Sequence, residues 1–126
     1  MKREPRHMPC QFKIDRVRAR YTRVHKALAR LRDAHASGAL ERALAMRSEM
    51  SFDMHRHMNV RLWRTVNEKG RQLYLLEIQE RGRRLYGRKG DDVGRMLGDL
   101  RDAAMADEAA ETGRIWNQEA NDGPGN

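Results

Sequence analysis

The sequence predicts an all-α fold, a small bundle of three or four helices with a long heptad-patterned first helix. Three observations predict it. Val, Ile and Thr together supply only 11 of 126 residues, while Ala, Leu, Met, Arg and Glu dominate, and that composition favours helix over strand. Apolar residues recur at helical steps in 12–35, 39–58 and 91–110. Gly38 and Gly70 fall where helices of ordinary length would stop. The length suits one domain, so the chain divides into a flexible basic N-terminus (1–11), a single helical domain (12–116) and a disordered polar tail (117–126).

The first helix carries Ile14, Val17, Tyr21, Val24, Leu28, Leu31 and His35 at alternating steps of three and four. That seam repeats every seven residues and suits packing against a helix of the same chain or of a second copy. Ser37-Gly38 ends it. A second helix is expected from Ala39, with Leu40, Ala43, Met46, Met50, Met54, Met58 and Leu62 on one side. Its four methionines at steps of four read as adaptable core filler; exposed, they would form a docking groove or a soft-metal site.

Residues 59–90 admit two readings. As helices, Leu62 and Val66 extend the second helix to Gly70, and Leu75, Ile78 and Leu85 lie at helical spacing beyond it. As an α+β alternative with a hairpin or meander at 59–88, Val60, Leu62, Arg64 and Val66 alternate with Arg61, Trp63 and Thr65, and the chain turns at Asn67–Gly70 and at Glu80-Arg81-Gly82. Composition over the whole chain favours helix. The last helix opens at Asp91-Asp92, acids suited to a helix N-terminus, and presents Val93, Met96, Leu97, Leu100 and Ala104.

Charge is uneven along the chain. Residues 1–35 hold 11 Lys/Arg against 3 Asp/Glu, 36–90 hold 12 against 6, and 91–126 hold 3 against 9, so a basic body precedes an acidic end. Such a body faces polyanions, and the acidic end covers it, pairs with it or keeps it soluble. On the first helix Arg16, Arg20, Arg23, Lys26 and Arg30 form a cationic face, and arginine's planar fork matches phosphate. A second cluster, Arg81, Arg83, Arg84, Arg88 and Lys89 around Tyr86, lies between glycines, where backbone can approach a phosphate and the ring can stack on a base, and Arg83, Arg84 and Arg88 are its expected contacts.

The expected function is therefore a small nucleic-acid-binding protein, DNA or RNA, that works chiefly through phosphate contacts, alone or as a helical subunit of a nucleoprotein complex. The alternative is a protein-interaction module (inhibitor, adaptor or assembly factor) whose basic face meets an acidic protein; a protein partner or homodimer fits either reading. Catalysis is not expected, because no nucleophile with a base, phosphate loop or coupled acid pair stands out. No metal or cofactor is expected either. His55 and His57 are poorly placed on a helix to share an ion, and His7 with Cys10 lacks a second ligand pair. The lone Cys10 excludes an internal disulfide, no apolar run nears the ~18–20 residues of a membrane span, and no apolar stretch follows the N-terminal charges; a cytoplasmic protein is expected.

Overall fold

The computed structural model describes the backbone of residues 4–55 and 57–121 and the side chains of 10–55 and 57–118. The order is α1 (Glu4–Ser37), α2 (Ala39–Arg47), β1 (Glu49–Met54), β2 (Met58–Val66), β3 (Gln72–Glu80), β4 (Arg83–Gly90) and α3 (Val93–Asn121). The strands make one antiparallel sheet in the order β1-β2-β3-β4. The fold is α+β, three helices on a four-stranded meander, and this corrects the all-α helical bundle expected from the sequence.

The reason for the correction is local. Val60 pairs with Ile78 and Leu62 with Leu76, and all four are buried with Met58, while Asn59 and Arg61 between them are exposed. Alternation of this kind puts every second side chain in the core, which a helix cannot do with the same residues. Turn chemistry agrees with it. The Asn67 side chain accepts the backbone N–H groups of Lys69 and Arg71, each at 2.9 Å, and Gly70 takes a φ of 78° that L residues rarely adopt. The scarcity of β-branched residues misleads because α1 and α3, 34 and 29 residues long, dominate the average.

α2 accordingly stops after 9 residues. Ser48 turns into the left-handed region (φ 61°), its N–H bonds the Leu44 carbonyl at 2.8 Å, and the chain enters β1. The methionine series is thereby divided. Met46 is exposed on α2, Met50 and Met54 are half-buried on one face of β1, and Met58 is buried in β2.

Of the α1 seam, Ile14, Val17, Tyr21, Val24, Leu28 and Leu31 are buried and His35 is exposed. The seam packs within the chain, chiefly against α3, and joins the buried side chains of the sheet in one core together with Ala27 and Ala34. Fully burying each large aliphatic side chain contributes about 1.5–3 kcal/mol, so this seam is a principal source of stability. Asp92 caps α3 by accepting the Arg95 N–H at 3.1 Å. α1 begins at Glu4, inside the stretch the sequence leaves flexible, and α3 runs to Asn121, past the start of the expected tail; residues 122–126 lie outside the described residues. Among the described residues no helix is long and apolar enough to cross a membrane.

Candidate nucleic-acid interface

The meander brings two of its connections to one end of the sheet. Met58 pairs with Glu80, and the Arg81 N–H donates to the His57 carbonyl at 2.7 Å, so the β1–β2 and β3–β4 turns lie side by side. The N-terminal half of α1 passes over them. Between helix and turns lies a cavity of about 400 Å³, lined on one side by Arg16, Arg20 and Arg23 and on the other by His55, His57, Arg81 and Arg83. The helix cluster and part of the β4 cluster, far apart in sequence, thus converge in one cleft.

Among the described residues a single carboxylate, Glu80, lines this cleft. It accepts Arg20 Nε at 3.0 Å and Arg23 Nη2 at 3.2 Å, and Arg20 Nη1 also reaches Glu111 at 3.4 Å. These contacts fix the two guanidinium planes without neutralising the cleft. Arg16, Arg81 and Arg83 have no carboxylate within 4.0 Å among the described residues, and Arg16 rests near the Phe12 ring at 5.6 Å. Arg23 Nε is buried with no hydrogen-bond partner. A buried donor left unpaired costs about 1–3 kcal/mol.

Backbone strain gathers at the same place. Among the described residues four that are not glycine have positive φ, and three of them, His55 (51°), His57 (67°) and Arg81 (53°), line the cleft. Arg81-Gly82 closes the β3–β4 hairpin with both residues at positive φ, a turn in which asparagine is preferred at the first position. Arg81→Asn is therefore expected to raise thermal stability slightly, by about 0.5–1 kcal/mol, since asparagine tolerates this conformation better. Weaker polyanion binding should accompany the gain. A melt and a binding isotherm on the one variant check both parts.

The other residues singled out from the sequence lie elsewhere. Lys26 is exposed further along α1, and the Arg30 guanidinium stacks over Phe52 of β1 at 4.0 Å. Arg84 lies 3.9 Å from Glu77 on the sheet face away from the helices, and exposed Arg88 on β4 folds back to the Gly87 carbonyl. Tyr86 is buried, and its hydroxyl donates to Asp107 at 2.6 Å, so no ring face is presented to a base. His55 and His57 were not expected as site residues, and Arg81 belonged to the second basic cluster without being among its expected contacts. The signal for Arg81 was its place before Gly82 in a tight turn.

The acidic end pairs with part of the basic body. Glu111 of α3 receives Arg20 and the Tyr21 hydroxyl, Glu108 lies 3.9 Å from His25, and Asp107 holds Tyr86. α3 thereby occupies one flank of α1 and leaves the flank above the turns basic. Burial first, and the bond to Glu111 second, push the Tyr21 hydroxyl up from 10.0 to about 12; burial first, and then Asp107, raises Tyr86 further. Raised values favour the neutral phenol in the folded state. Both tyrosines therefore contribute stability that is fully present below pH ~10; that of Tyr21 is lost as the pH climbs through about 12, and that of Tyr86 at higher pH. Melting temperature is expected to fall steeply above about pH 10, and Tyr21→Phe should remove part of that fall.

No protein-family model, curated protein or solved structure matches the chain.

Proposed function

We propose that the protein binds nucleic acid through phosphate contacts centred on the cleft between α1 and the paired turns. The observation that carries the reading is the convergence of Arg16, Arg20, Arg23, Arg81 and Arg83 with two histidines around a single carboxylate. Arg16 to Arg30 spans about 21 Å of helix at 1.5 Å per residue, the reach of several successive phosphates. Lys26 and Arg30 extend the track from the cleft. Phosphate contacts position a partner without reading bases, so binding is expected to be weakly selective for sequence. The protein acts without catalysis, in a reducing cytoplasm, as a free binding protein or as a subunit of a nucleoprotein complex.

The competing reading, a protein-interaction module, needed an exposed methionine stripe as its docking site. Only Met46 of that series is exposed, which removes most of its support. Heparin retention followed by competition with single-stranded DNA, duplex DNA and RNA at two salt concentrations separates the two. If about five phosphates are neutralised, log K falls against log salt with a slope near −4.5 on duplex and near −3.5 on a single strand. A folded protein that binds none of these at low salt would return the interaction module to first place.

A further inference from the structure

The other flank of α1 carries a second concave site. A groove of about 480 Å³ runs between α1 and α3, with Leu28 and Leu97 in its floor and His25 and Arg32 on one side facing Arg101 on the other. His35 closes one end beside Gly94. The volume falls in the range of small-molecule sites, about 300–1,000 Å³.

Two features mark this groove as a site rather than a packing defect. The first is α3 itself. Gly94 and Gly98 sit one turn apart in the helix, where each glycine costs about 1 kcal/mol relative to alanine. Close packing is the ordinary reason for such glycines, and it does not apply at Gly98, where an added Cβ would meet nothing within 4 Å. Gly98 holds the groove open. The second is charge. Arg32 has no carboxylate within 4.0 Å among the described residues, Arg101 has only its chain neighbour Asp102 at 3.5 Å, and His25 has only Glu108 at 3.9 Å. Arg32 on α1 and Arg101 on α3 thus line the two sides of an apolar floor, with His25 and His35 also in the lining.

We propose that this groove binds a small organic phosphate monoester with a flat ring, of mononucleotide size. The ring lies on Leu28 and Leu97 over the space left by Gly98, and the phosphate, which carries about −1.5 to −2 at pH 7, sits between Arg32 and Arg101. A carboxylate carries half that charge and matches two opposed arginines less well. The site is independent of the cleft over the turns, because α1 presents the two on opposite flanks.

Titration calorimetry of the full chain with adenosine monophosphate, uridine monophosphate, inorganic phosphate, adenosine and benzoate tests this. The two nucleotides are expected to bind one per chain, and the other three at least about tenfold more weakly. Gly98→Leu should lower nucleotide affinity at least about tenfold with an equal or higher melting temperature, since leucine fills the groove and favours helix. Should that variant misfold, Arg32→Gln and Gly98→Ala decide the matter, the first through the phosphate and the second through the floor. Arg83→Gln should weaken polyanion binding at the cleft and leave mononucleotide affinity unchanged. The proposal is overturned if neither nucleotide gives heat at about 5 mM, if inorganic phosphate or benzoate binds as tightly, or if the groove variants leave binding intact. Loss of nucleotide binding in Arg83→Gln would assign it to the cleft and overturn the groove as well.

Discussion

Ile78→Ala is expected to destabilise the protein by about 2–5 kcal/mol, whereas Leu75→Ala three residues earlier should cost about 1 kcal/mol or less. Ile78 is fully buried at the middle of the sheet, paired with Val60 on one side and Tyr86 on the other, beneath the helices. Leu75 pairs with Trp63 on the face the helices do not cover and is half-buried there. The contrast separates strand from helix. On a helix residues 75 and 78 share a face and would fail together; on a strand they lie on opposite faces, and Leu76 is the partner that fails with Ile78. Denaturant unfolding of Ile78→Ala, Leu75→Ala and Leu76→Ala reads the result directly.

The second large effect is on binding. Combining Arg16→Gln, Arg81→Asn and Arg83→Gln removes the three cleft arginines that have no carboxylate partner, and it should flatten the slope of log K against log salt on duplex DNA by about 2–3 units. Stability should hold or rise, since Arg16 and Arg83 are exposed and Arg81 is strained. Arg84→Gln is the control. It carries the same charge in the same stretch of sequence, but its guanidinium lies by Glu77 on the opposite face of the sheet. Equal losses from Arg84→Gln and Arg83→Gln would mean that net charge, rather than the cleft, drives association.

What the sequence revealed and what it hid divide along physical lines. The α1 seam was legible because one long helix repeats a single burial pattern through six residues, Ile14 to Leu31. The start of α3 was legible from Asp91-Asp92 because capping is local chemistry. The meander was not chosen, although Val60, Leu62, Asn67, Gly70 and Gly82 all signalled it, because composition averaged over two long helices outweighed a local alternation. The methionine series shows the same failure in miniature. Steps of four suit a helix, yet on a strand Met50 and Met54 also share a face, and periodicity alone does not separate the cases.

The candidate site was legible in its charges and not in its shape. Arg16, Arg20 and Arg23 could be grouped from helical spacing, but their meeting with Arg81, Arg83, His55 and His57 depends on a sheet that folds two turns back under the helix. Tyr86 was drawn to the surface by its arginine neighbours, whereas strand parity and Asp107 hold it inside. Arg84 left the cluster because adjacent residues in a strand do not share a face, and Arg88, paired with Leu76, lies further along β4 from the turn.

The central claim is that the cleft between α1 and the paired turns is where nucleic acid binds. Backbone amide chemical shifts of the full chain, followed at low salt while a short single-stranded oligonucleotide is added, test it most directly. The account predicts the largest changes at residues 16–23, at His55 and His57, and at 80–83, fading as salt is raised, with little change at Trp63, Leu75 and Lys89 on the open face of the sheet. Saturable changes centred on that open face, or none anywhere at low salt, would contradict it.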